Sequence, residues 1–298
     1  MFERAKRGWT LFKTTFGILK REKSLALFPV ISGVITMIAL LFLLFPVLFI
    51  FSAEGFNPDT MTTAGWIVWV AILFVIYLII CFISSFFKAG IVSNATSVIE
   101  GKDPSLMDGI KMASSNTKRI LAWSVIAATV GVILQLIRDQ NSGIGRLIGT
   151  IVSAIAGAAW ELATFFVIPV MIFEEKGAIP SIKESWSLSK QTWGETVIAG
   201  FSFVVVYIPF FLLFIGTFLS LFTGNMTVAA SMGALTIIVL VITGILISTL
   251  QGILVALMYH YAKTGEIPSS VDGSLITGAF VEKSNFTSSG LNTAKGQI

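Results

Sequence analysis

Six stretches of this chain run apolar for 18 residues or more, near 25–52, 65–99, 120–137, 147–174, 196–222 and 229–262. A helix of about 20 apolar residues crosses a hydrocarbon core of roughly 30 Å. Within that core every backbone polar group must find its partner inside the protein. The expected fold is therefore all-α, a polytopic membrane protein with six transmembrane helices. Composition agrees. The chain has 298 residues, 55% hydrophobic and 12% charged, where a soluble domain carries roughly 25% charged. Several stretches exceed the minimum length, so they tilt or project. Pro46, Pro169 and Pro209 lie within them as candidate kinks.

The basic residues set the orientation. Arg4, Lys6, Arg7, Lys13, Lys20, Arg21 and Lys23 precede the first span. Lys102, Lys111, Lys118 and Arg119 follow the second, Lys176, Lys183 and Lys190 the fourth, and Lys263, Lys283 and Lys295 the sixth. The opposite loops hold only Arg138 and Arg146. Both termini are expected in the cytoplasm, with the protein multi-pass in the plasma membrane. Residues 1 to 24 alternate polar and apolar, unlike a signal peptide, and are expected to be retained.

An eight-residue phrase recurs: GKDPSLMD at 101–108, GAIPSIKE at 177–184 and GEIPSSVD at 265–272. Gly101, Gly177 and Gly265 read as left-handed helix C-caps. Pro104, Pro180 and Pro268 stop the helix from continuing. Ser105, Ser181 and Ser269 then read as N-caps, with Asp108, Glu184 and Asp272 three residues on. Residues 9–17, WTLFKTTFG, also match 186–194, WSLSKQTWG. The repeated unit is an amphipathic helix on the cytoplasmic face followed by a membrane hairpin. Three pseudo-repeats, about 2–101, 105–177 and 181–265, make one integral membrane domain over 1–283. A fourth interfacial segment is expected at 269–283. Residues 284–298 are rich in Ser, Thr, Gly and Asn and read as a disordered cytoplasmic tail.

Two groups of residues are candidates for function. Arg4, Lys6, Arg7, Trp9, Lys13, Trp186, Lys190 and Trp193 form a basic, tryptophan-bearing interface suited to anionic lipid. These helices either sense lipid or bind a partner, or they serve as a structural cuff that anchors the hairpins. The second group is intramembrane. Lys88, Glu161 and Gln251 lie 16, 19 and 17 residues before the repeated proline, within one helical turn of height. Polar groups at that depth are costly and mark function by default. They form either a site for a polar substrate, headgroup or proton, or a clasp between helices with Lys88 snorkelling to the surface. A small-residue series, Gly145, Gly149, Ser153 and Gly157, runs up to Glu161 and reads as helix packing.

Catalytic chemistry finds little support. Cys81 is the one cysteine and His260 the one histidine, so no disulfide forms within the chain and no metal site or cofactor is expected. Tyr259, His260 and Tyr261 read as an interfacial belt. No HExxH, nucleophile elbow or phosphate loop occurs. The basic residues follow membrane topology, so no nucleic acid is expected as a partner.

The start RAKRGWTLFK, the six spans and the G-x-x-P-S turns resemble the domain-of-unknown-function 6159 group, an uncharacterised family of prokaryotic six-span membrane proteins. EGKDPSLMDGIKMA is similar, more distantly, to the membrane domain of some glycerophosphodiester phosphodiesterases. The resemblance implies a fold and carries no catalytic residue. The expected role is a non-enzymatic scaffold that binds membrane lipids or other membrane proteins. The alternative is a small transporter using Lys88, Glu161 and Gln251.

Overall fold

The computed structural model describes residues 2–54, 62–138 and 143–265, and these fold as helices with no strand among them. Ten α-helices follow in chain order. They are α1 (Phe2–Arg21), α2 (Leu27–Glu54), α3 (Thr63–Ile99), α4 (Leu106–Ser115) and α5 (Thr117–Arg138), then α6 (Gly143–Thr164), α7 (Val167–Phe173), α8 (Ala178–Ser202), α9 (Ile208–Ser220) and α10 (Met226–Thr264). The segment expected at 269–283 and the tail lie outside the described residues, as do Pro268 and Ser269 of the last phrase.

Among the described residues, five stretches are long and apolar enough to cross a membrane: Lys23–Phe45, Thr63–Ile99, Thr117–Arg138, Gly143–Phe173 and Met226–Thr264. The stretch at 196–222 differs from expectation. α8 ends at Ser202, a 3-10 segment covers Phe203–Tyr207, and α9 is 13 residues long. Pro209 sits in the first turn of α9. Its missing N–H suits the first turn of a helix and not the interior of one continuing from α8. Pro169 acts similarly, dividing the expected 147–174 run into α6 and α7. α2, by contrast, runs through Pro46 to Glu54.

The α6–α7 break exposes backbone groups, and a side chain captures one of them. The Phe166 N–H donates to Ser185 Oγ of α8 at 2.9 Å, and both residues are fully buried. Ser185→Ala strands that N–H, at a cost of about 1–3 kcal/mol. The thermal midpoint in detergent is expected to fall by several degrees, and an unchanged midpoint would remove the capture as the reason for the break.

The buried core lies at one end of the molecule, where the lysine-rich loops gather. It joins Leu11, Ile18 and Phe28 near the N-terminus to Ile83–Ile99 of α3, Phe166–Ile172 around α7 and Leu250–Tyr259 of α10. The far halves of the long helices are exposed, with Phe42 at 79% and Ile144 at 76%. Serine and threonine within the helices return their hydroxyls to the carbonyl four residues back, as Ser124, Thr150 and Thr249 do. Those helices therefore present few unpaired polar atoms to the surrounding apolar medium.

The repeated phrase folds as expected in its first copy. Gly101 is left-handed (φ 81), and the N–H groups of Gly101 and Lys102 return to Val98 and Ser97, a Schellman closure of α3. The Asp108 carboxylate accepts from the Ser105 N–H and hydroxyl at 2.9 and 2.7 Å, which opens α4. These bonds hold the Asp108 carboxyl below the usual carboxylate range, the Ser105 hydroxyl first. Gly265 is left-handed and closes α10. The second copy departs from the expectation. Gly177 is not left-handed; Glu175 is, at φ 51. α7 ends at Phe173, so the position needing positive φ falls two residues before the glycine. α8 then starts at Ala178, and Ser181 lies inside it rather than capping it.

Candidate functional site

α1 and α8 pack side by side at the core end. Each carries the Trp-x-x-x-Lys pair of the matching segments, and four residues along a helix bring those side chains together. Lys13 Nζ lies 5.8 Å from the Trp9 ring centre, and Lys190 Nζ lies 4.9 Å from that of Trp186. Trp9 and Trp186 are 41% and 40% exposed. Trp9 stacks on Phe12, and Phe12 on Phe16, so an aromatic stripe runs along α1. Arg4, Lys6 and Arg7 lie on α1 and Trp193 on α8. Their side chains fall outside the described residues.

Of the three intramembrane polar residues, the fold brings two together. Lys88 and Gln251 line a cavity of about 140 Å³ with Ser32, Ser84 and Ser248. The cavity lies between α2, α3 and α10. Phe28 fixes its height, because the Phe28 ring fills the space a side chain on Gly90 would need. Lys88 is therefore level with the first turns of α2. Among the described residues, Lys88 has no ion pair.

Glu161 is elsewhere, exposed on α6 and outside the cavity lining. Its neighbour Trp160 stacks on Trp123 of α5 at 5.8 Å, which turns the following residue outward. Glu161 forms no ion pair with Lys88. The small-residue series behaves as packing: Gly149 and Ser153 are buried, and Gly157 faces Leu134 of α5.

Sequence reasoning missed a charged cluster at the core end. Lys176 bridges Glu174 at 2.7 Å and Glu184 at 3.3 Å, and Lys263 bridges the same two carboxylates at 2.8 and 3.1 Å. The Tyr259 hydroxyl donates to Glu174 at 2.8 Å. Burial opposes ionisation of Glu174, but hydrogen bonds from Lys176, Lys263 and Tyr259 outweigh it and hold the carboxyl at about 2. Glu184 is lowered by Lys263 and Lys176, and Lys176 is raised by Glu174. The cluster ties the α7–α8 turn and α8 to the end of α10. Tyr259 also stacks on Phe173 and is buried, so it belongs to this cluster and not to an interfacial belt. The partners that α10 supplies lie 79 to 89 residues from Glu174 and Glu184 in sequence, and only the acidic Glu174-Glu175 pair after an apolar run hinted at them.

A model described as a family of unknown function, DUF6159, matches residues 67–269. The match covers more than half of the chain, and the chain belongs to that family. No curated protein matches it.

Proposed function

We propose that this member of the DUF6159 family is a non-enzymatic membrane scaffold that gathers anionic lipid at the inner membrane face. In this reading the chain crosses the plasma membrane six times, with α9 and its flanking turns making the fifth crossing. Both termini are cytoplasmic, and the helix-plus-hairpin unit is repeated three times. The supporting observation is the pair of adjacent helices, α1 and α8, each presenting an exposed tryptophan with a lysine over it. Tryptophan favours the headgroup layer, and lysine favours anionic lipid on the cytoplasmic leaflet.

The test is lipid mass spectrometry on protein purified into nanodiscs from native membrane. Anionic lipid is expected several-fold above its bulk share. That excess should fall in a variant carrying Trp9→Ala, Lys13→Gln, Trp186→Ala and Lys190→Gln. Wild-type protein carrying lipid in bulk proportions overturns the reading. The transporter alternative draws support from the cavity at Lys88 and Gln251, but Glu161, its third member, lies outside that cavity. Solute uptake that depends on Lys88 and Gln251 would favour transport instead.

A further inference from the structure

We infer that Lys88 anchors the acidic headgroup of an inner-leaflet phospholipid, one acyl chain of which lies in the groove between α2 and α3. The inference deepens the lipid-scaffold reading above and rests on it. Two adjoining spaces carry it. The polar cavity of about 140 Å³ presents an ammonium, an amide and three hydroxyls. An open apolar groove of about 480 Å³ continues from it, lined by Gly33, Met37, Leu40 and Leu44 of α2 and Ile80 of α3. Ser32 and Ser84 line both, so the two form one amphiphilic site.

Dimensions and charge select the occupant. From Ser32 to Leu44 is twelve residues, about 18 Å along a helix. That is close to half of a hydrocarbon core of roughly 30 Å, the depth of one leaflet. The polar end starts at Pro29, beside Phe28, whose ring packs on Gly90 and on Gly109 of α4 at the core end. A headgroup there sits next to the level of α4, and its chain runs away from the core end along α2. Lys88 forms no ion pair among the described residues, and it shares the cavity with the Gln251 amide and three hydroxyls, donors that suit a phosphate. Basic pockets between spanning helices are a known way to hold acidic headgroups. Nothing lies within 4 Å of where a Cβ on Gly33 would stand, so the groove floor is open to an acyl chain.

The test uses phosphatidylglycerol with a diazirine on its acyl chain, and a matched phosphatidylcholine probe, in nanodiscs holding the full chain. Cross-links mapped by peptide mass spectrometry are expected on residues 33–44 and at Ile80, at least fivefold stronger for the anionic probe. Lys88→Met should abolish that preference, and Lys88→Arg should restore it. Gly33→Leu sends its side chain into the groove from a position where a Cβ meets nothing within 4 Å, and it should reduce the cross-link for both probes. Cross-links confined to α1 and α8 would overturn this inference and leave the scaffold reading standing. No preference for the anionic probe anywhere would overturn both. A preference unchanged in Lys88→Met would mean that Lys88 only snorkels, and would overturn the inference.

Discussion

Gly109→Val is expected to destabilise the protein by about 3 kcal/mol, the upper end of the usual overpacking cost. Gly109 lies on α4 where that helix crosses α3. A Cβ there would stand 2.6 Å from the Phe28 ring, 2.8 Å from the Gly90 carbonyl oxygen and 2.9 Å from Asn94 Oδ1. A ring can rotate, but a backbone carbonyl cannot move without its helix. α4 must therefore lift from α3, which also strains the 2.9 Å bond from Asn94 Nδ2 to the Ser105 carbonyl. Gly17 provides the contrast. It too is helical, but nothing lies within 4 Å of its Cβ position, so Gly17→Ala should be neutral or gain about 0.5–1 kcal/mol. Denaturant or thermal unfolding in detergent measures both. If Gly109→Ala and Gly17→Ala shift stability alike, close packing of α4 on α3 is not what demands the glycine.

The contrast between Gly109 and Gly101 shows which features the sequence makes readable. Gly101 was legible because its requirement is local: a helix ends, and the next residue needs positive φ. The Ser105–Asp108 cap was legible for the same reason. Gly177 misled because α7 stops at Phe173 and the left-handed position falls on Glu175, a helix end that the apolar run itself does not mark. The proline ruler placed Lys88 and Gln251 at one level, and they do share a cavity. It failed for Glu161 because spacing gives height and not direction. An offset two or three residues longer turns a side chain about 200–300° around its helix. The four-spaced series drifts as well: sixteen residues from Gly145 turn Glu161 about 160° from the starting face. Spacing alone gives Glu161 no direction, and the Trp123–Trp160 stack shows which way it points.

Glu174→Gln is the second large effect, and its sign follows from the carboxyl's displacement. Glu174 is held at about 2 against an ordinary value of 4.5. A carboxyl lowered by folding adds stability in full above about pH 4.5. That contribution is lost as pH falls toward 2, because the native state must then take up the proton it excluded. The wild-type protein should therefore lose stability steeply across that window, and Glu174→Gln should lose much less. Some slope remains in the variant, because Glu184 is displaced in the same direction. At pH 7 the variant should be weaker by about 2 kcal/mol. It loses charge-assisted bonds from Lys176, Lys263 and Tyr259, and the estimate is discounted because both lysines are about a third exposed. Glu174 itself is only 19% exposed, so water replaces those bonds poorly. Tyr259→Phe removes one neutral donor and should cost less while leaving the acid window in place. The measurement is the thermal midpoint from pH 7 to pH 3 for all three proteins. Parallel curves for wild type and Glu174→Gln would show that the cluster does not fasten α8 to the end of α10. A flattened curve for Glu174→Gln alone would place the acid sensitivity of the fold at this one carboxylate.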